Sequence, residues 1–232
     1  MKLDILDAYN IRARLSPSVI LLGPIALTIF FCFEGLYSNI TSALTLCILL
    51  ALSNCVPIIQ RRLAPPNKNP ENYAAKYLQH DDTTIDRISK KRYYKKLTEL
   101  ENAFSGLSTH SSSQEFHNLC ESAVIYLRNN TRDNHLVLEE NINYGFCKNM
   151  LINKPIGIII NICLAMFTSI FSISTYGALE HIPSQNILSF GINIFFILFW
   201  IFGITKKMLE EASKRYAYTL IVAIDSIPTK KD

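Results

Sequence analysis

The stretch from Pro155 to Thr205 reads PIGIIINICLAMFTSIFSISTYGALEHIPSQNILSFGINIFFILFWIFGIT and contains neither lysine nor arginine, although 23 of the 232 residues are basic. Two apolar runs are split by a polar break near Gly177 to Asn186, so the stretch reads as a transmembrane hairpin. Leu15 to Gln60 repeats the pattern, with its break near Glu34 to Asn39. A helix crossing about 30 Å of hydrocarbon needs roughly 20 mostly apolar residues. Pro17 to Tyr37, Ile40 to Gln60, Ile156 to Tyr176 and Ile187 to Thr205 approach that length, giving four expected spans. Helix is expected despite the many β-branched isoleucines, because backbone amides within lipid have no water to bond.

The basic residues flank these stretches on one side. Lys2, Arg12 and Arg14 precede the first span, Arg61 and Arg62 follow the second, Lys154 precedes the third, and Lys206 and Lys207 follow the fourth. By the positive-inside rule, both termini and the segment between the hairpins face the cytoplasm. The two short turns, carrying Glu34, Glu180 and His181, face outward. A cleavable leader is disfavoured, since Asp4 and Asp7 interrupt it and no A-x-A site follows Phe33. The expected fold is an all-α integral membrane protein in five parts. These are an amphipathic segment over 1–16, a transmembrane hairpin over 17–60, a small helical cytoplasmic domain over 61–154, a second hairpin over 155–205, and a C-terminal helix over 206–232.

What lies outside the spans can support one small soluble domain and two helical appendages, not a second catalytic domain of ordinary size. The net charge of +4 is modest, and the orientation rule alone would produce it. Cys32, Cys47, Cys55 and Cys163 lie in spans, where a thiol acts as a small apolar group, and only Cys120 and Cys147 lie outside.

Ala64-Pro65-Pro66-Asn67-Lys68-Asn69-Pro70 ends the second span, because proline cannot continue a helix. Beyond it, Tyr73, Tyr77, Ile85, Ile88, Tyr94, Leu97 and Leu100 recur at helical spacing with a break near His80 to Thr84, predicting two helices or one interrupted helix. Phe116, Leu119, Cys120, Ala123, Val124 and Leu127 predict another helix over Gln114 to Asn129. Leu136 to Met150 reads as a strand or a helical lead into the third span, with helix favoured. After the fourth span, Leu209, Ala212, Tyr216, Leu220, Ala223 and Ile227 keep a 3.6-residue stripe, so the membrane helix is expected to run on. Ile5, Leu6, Tyr9 and Ile11, beside Arg12 and Arg14, predict an in-plane interfacial segment over Asp4 to Leu15.

The densest charge feature is Arg87-Ile88-Ser89-Lys90-Lys91-Arg92-Tyr93-Tyr94-Lys95-Lys96. Six cations suit anionic lipid headgroups, and they equally suit the phosphates of a nucleic acid, with Tyr93 or Tyr94 stacking on a base. Contact with an acidic protein or with Asp81, Asp82, Glu99 or Glu101 of another subunit is a further alternative. His117, Cys120, His135 and Cys147 are of zinc-ligand type, but the second pair is too far apart in sequence for a structural site. No metal or cofactor is expected. No nucleophile elbow, Walker loop or H-E-x-x-H motif occurs, so no catalysis is expected. Within the spans, Asn54, Asn161, Asn193, Thr28, Thr45, Thr168, Ser169, Ser172 and Ser174 either bond across helices or line an aqueous path, and packing is favoured. No span has a central Asp, Glu, Lys or Arg, which disfavours an ion-coupled pump. Pro24 and Pro57 offer kinks.

Leu127-Arg128-Asn129-Asn130-Thr131-Arg132-Asp133, then Glu139 to Phe146 and Pro155-Ile156-Gly157, resembles a family of small bacterial transmembrane effectors in antiphage defence loci, particularly those beside retron reverse transcriptases. The likeness covers roughly Cys120 to Tyr218. It implies a bacterial inner-membrane protein of abortive infection. Such an effector is held silent by a partner complex of reverse transcriptase and its DNA product, then released to permeabilise or depolarise the membrane. Arg128, Arg132, Asp133, Glu139, Glu140, Asn141, Asn143 and Tyr144 precede the third span, where they either couple the soluble domain to the membrane or serve as caps and salt bridges. The leading expectation is thus a homo-oligomeric membrane effector. A membrane-anchored adaptor or sensor recruiting a protein or nucleic acid is the alternative, followed by a small-solute channel or transporter.

Overall fold

A computed structural model describes residues 8–33, 56, 73–107 and 113–228. Every regular element among the described residues is helical: α1 (Asn10–Cys32), α2 (Tyr73–Leu78), α3 (Arg87–Leu100), α4 (Ser113–Asn130), α5 (His135–Tyr176), α6 (Ser184–Gly203) and α7 (Lys206–Val222). Three of them, α1, α5 and α6, are long and apolar enough to cross a membrane. The expected second span, Ile40 to Gln60, lies outside the described residues apart from Val56, as do Thr45, Asn54 and Pro57. The chain divides into two units, one of Met1–Pro65 with Gly145–Leu209, the other of Pro66–Tyr144 with Glu210–Asp232.

In the first unit, α1 is continuous from Asn10, its first stretch bonded in the wider π pattern, with the Ser16 N–H donating to Ile11 O. Tyr9, Ile11, Arg12 and Arg14 therefore belong to the start of the apolar helix and not to a separate in-plane segment; Asp4 to Asp7 lie outside the described residues. Pro17 has no N–H to offer the carbonyl four residues back, and that oxygen, on Ala13, accepts from Asn149 Nδ2 at 2.6 Å. The substitute donor comes from α5. Forty-two residues at 1.5 Å each make α5 about 63 Å long, twice a hydrocarbon core, so much of it must lie outside lipid. It passes through Pro155 without ending. Gly177 closes it at φ +74°, a left-handed conformation glycine adopts without a Cβ clash, and Gly177 N–H donates to Ile173 O at 2.9 Å. The turn is shorter than the polar break suggested: α6 starts at Ser184, so Asn186 is helical and buried.

Helix α6 does not run on. Its last turn is again π-bonded, Ile204 is extended at φ −100°, and Thr205 Oγ1 accepts the Met208 N–H at 3.2 Å to start α7 afresh. Lys154 Nζ donates to Ile201 O and Ile204 O, both at 2.8 Å, satisfying carbonyls the helix end leaves open. Leu21, Met150, Trp200 and Ile204 form the unit's apolar centre, and the Trp200 ring lies so close to Gly157 that a Cβ there would overlap it.

The second unit has its own core. Leu78, Leu97, Leu107, Leu127, Val124 and Cys120 are fully buried there with Leu220, Ile221 and Ile224. Two helices, α2 and α3, occupy the first predicted region, and α4 the next. The segment Leu136 to Met150 is helical throughout, as part of α5. Asn134 Oδ1 starts α5 by accepting from Leu136 and Val137 N–H groups at 3.1 and 3.3 Å. Asp86 Oδ1 does the same for α3 through Ile88 and Ser89 N–H groups at 3.0 and 2.9 Å.

Gly157→Ala should therefore destabilise the first unit by about 1–3 kcal/mol through overpacking against Trp200. Gly191→Ala, where an added Cβ meets open space, should not. Thermal unfolding of both variants in detergent, read by Trp200 fluorescence, checks the difference.

Candidate functional site

The buried face of α5 in the first unit carries a small or polar residue at nearly every fourth position: Gly145, Asn149, Asn153, Gly157, Asn161, Ala165, Thr168 and Ser172. Residues four apart share a helix face, and small side chains let neighbouring backbones approach closely. Part of this stripe meets α1, through Gly145, Asn149, Asn153 and Thr168. Asn149 bonds Ala13 O, Asn153 Nδ2 reaches Pro17 O at 3.4 Å, and Cys32 Sγ lies 4.0 Å from Thr168 Oγ1. All three pairs are separated by 136 residues, so α1 and α5 run parallel and in fixed register.

Helix α6 returns antiparallel and supplies the third wall. Asn186 Nδ2 donates to Ser172 Oγ at 3.0 Å, Ser189 Oγ lies 3.9 Å from Cys32 Sγ, and Asn193 Nδ2 donates at 2.9 Å to Thr28 Oγ1. Asn193 Nδ2 also reaches Ser189 O at 2.9 Å, and Asn161 Nδ2 reaches Gly157 O at 2.7 Å. The result is a buried polar seam through three apolar helices. Their outward faces hold the aliphatic and aromatic residues instead, among them Ile159, Met166, Ile170, Phe195 and Phe202. Not every seam group is satisfied: Asn161 Oδ1, Asn193 Oδ1, Gln185 Oε1 and Trp200 Nε1 are buried without a hydrogen-bond partner among the described residues. Sequence reading singled out Thr28, Asn161, Thr168, Ser172 and Asn193; Ser169 instead bonds Ala165 O on its own helix, and Ser174 is exposed. It missed Asn149, Asn153, Gly157, Asn186 and Ser189, although the four-residue recurrence was visible.

The basic run sits on α3 in the second unit and is divided by burial. Lys90 is 3% exposed, and its Nζ donates to the carbonyls of Gln79 and Asp82, capping the chain after α2. Burial pushes its pKa down, opposed by Asp82 and Asp81. Tyr93 and Tyr94 are buried, and Tyr94 Oη donates to Leu78 O. Their rings are core, so neither can stack on a base. Arg92 forms a two-point pair with Asp225, at 3.1 and 2.7 Å, and Lys96 Nζ donates to Asp225 O at 2.8 Å. The Asp225 partner raises the Arg92 pKa further. Arg87, Lys91 and Lys95 remain exposed, with Glu99 4.0 Å from Lys95 Nζ.

The residues ahead of the third span do not converge on one cluster. Arg128, Arg132, Asp133 and Asn143 are exposed, and Arg132 Nη2 bonds Asn129 Oδ1 at 3.1 Å. Glu139 lies 3.9 Å from His135, Asn141 is half-buried, and Tyr144 stacks on Tyr216 at 6.0 Å. Glu140 Oε2 is buried without a hydrogen-bond partner among the described residues. The junction is capped by Thr131 and Asn134, the latter also bonding Ser226 Oγ at 3.1 Å. Of the zinc-type residues, His117 Nδ1 accepts from Gln79 Nε2 at 2.7 Å, and Cys120 is a core residue whose thiol burial pushes up to about 12.

No family model matches this chain, and no curated protein or solved structure matches it either.

Lys90→Met should destabilise the second unit by about 1–3 kcal/mol by stranding two carbonyls, whereas Lys91→Met should leave it unchanged. Urea unfolding of the full chain followed by circular dichroism separates them. The Cys120 thiol keeps its proton in the fold to about pH 12, while an unfolded one releases it near 9.0. The unfolded state then binds fewer protons, so stability falls as pH rises through that window, and Cys120→Ala should flatten the fall. Alkylation at pH 8 should spare Cys120 in the folded chain and mark it once urea unfolds the second unit, as peptide mass spectrometry would reveal.

Proposed function

We propose that this chain is a non-enzymatic, four-span membrane effector whose helices permeabilise or depolarise the membrane when its soluble unit is triggered. The polar seam carries this reading. A bundle that serves only as an anchor can be packed with aliphatic and small residues alone. This one gives its buried face to Thr28, Thr168, Ser172, Asn186, Ser189 and Asn193, and the amide oxygens of Asn161 and Asn193 have no partner among the described residues. Polar groups inside a bilayer are costly and usually functional. A change in helix packing would exchange their mutual bonds for water, opening a hydrated path with no titrating group required.

Four spans are supported by the parallel pair. The chain leaves α1 at one end of the unit and re-enters α5 at the opposite end, which a further crossing in between would account for. Both termini and 61–154 are then on the basic, cytoplasmic side. The resemblance around Leu127 to Gly157 gives the setting: a bacterial inner membrane, an abortive-infection role, assembly of several copies, and restraint by a partner complex such as a reverse transcriptase with its DNA product.

The test is tightly controlled expression in bacteria with a voltage-sensitive dye, comparing the wild type with Asn193→Leu and Thr28→Val. The wild type should collapse the potential within minutes of modest expression. The variants, inserted to the same level, should not. An intact potential with fully inserted wild-type protein, both before and after phage infection, would retire the effector in favour of the adaptor.

A further inference from the structure

Subtracting what the fold uses from the basic run leaves a short, one-sided surface on α3. Lys90 caps carbonyls, Arg92 and Lys96 hold Asp225, and Tyr93 and Tyr94 fill the core. What remains is Arg87, Lys91 and Lys95, spaced four residues apart, with Ile88 between the first two and 80% exposed. At 100° per residue, all four fall within an arc of about 100°. An isoleucine so open in a cationic stripe has no packing role in the unit.

We propose that this stripe is a docking surface for a bilayer bearing anionic headgroups, with Arg87, Lys91 and Lys95 meeting phosphates and Ile88 entering the acyl boundary. Charge complementarity selects an anionic partner. Ile88 selects lipid over nucleic acid, because an aliphatic side chain gains from hydrocarbon and offers a base no stacking face, while both tyrosines of the run are buried. The nearby carboxylates on the same side are Asp86, committed to the α3 N-terminus, and Glu99, beside Lys95. The stripe keeps a net positive charge against them. Membrane attraction of this kind weakens as salt screens it, and each cation removed should lower docking about fivefold. This site is separate from the polar seam, so either reading can fail without the other.

The experiment reconstitutes the full chain in phosphatidylcholine vesicles with or without 30 mol% phosphatidylglycerol, in roughly physiological salt. An environment-sensitive dye is attached at Ile88→Cys, in a background with Cys47, Cys55 and Cys163 changed to serine, and the same background without Ile88→Cys sets the blank. Phosphatidylglycerol should blue-shift and brighten the dye. High salt should reverse this, and so should Arg87, Lys91 and Lys95 changed together to glutamine. Identical spectra in the two vesicles would overturn the proposal. A shift produced by added single-stranded DNA in neutral vesicles, without one from phosphatidylglycerol, would overturn it in favour of a nucleic-acid surface.

Discussion

Inside a bilayer no water waits to bond a polar group, and the first unit is organised around that constraint. Each amide or hydroxyl on the α5 stripe must find a partner on a neighbouring helix or its own backbone. Asn149 answers the carbonyl that Pro17 leaves open, Asn193 answers Thr28, and Asn186 answers Ser172. These pairs fix register where aliphatic contacts alone would tolerate sliding. Individually such bonds contribute only about 0.6 kcal/mol in membrane proteins, so their larger effect is to make one alignment of α1, α5 and α6 specific.

The second unit solves the opposite problem. It buries Leu78, Leu97, Leu127 and Leu220 in a core of its own and uses its charges at the margins. Lys90 shows how far this goes, since a residue whose sequence context announced a solvated cation serves as an internal cap. Asp225, near the end of the described chain, binds two cations of α3 at once and brings the last helical turn onto that helix.

The apolar runs made three helices of membrane-crossing length legible, because lipid imposes length and polarity so strictly that local propensity hardly matters. Helices α2, α3 and α4 followed from their periodicity. The boundaries were harder. The stripe from Leu209 to Ile227 looked continuous with the fourth span, but the kink at Ile204 and Thr205 is set by backbone bonding that side-chain periodicity does not encode. The basic run was misleading for a related reason. Sequence gives the angle of each side chain around α3 but not what waits opposite it, so Lys90, Arg92 and Lys96 looked alike. In the seam, Asn161 and Asn193 were conspicuous as polar residues among isoleucines. Asn149 and Asn153 fall by sequence in the cytoplasmic segment 61–154, and Gly157 stands out only as part of the Pro155-Ile156-Gly157 run.

The regular spacing of the α5 stripe has a mechanical consequence. A surface that repeats every four residues nearly maps onto itself when the helix advances about 6 Å, the rise of four residues. Asn153 would then approach the seat of Asn149, but Asn161 would be carried to the seat of Gly157, where the Trp200 ring leaves no room for a Cβ. The contact between Gly157 and Trp200 therefore acts as a lock: the polar spacing alone would accept a four-residue step of α5, and the indole ring forbids it.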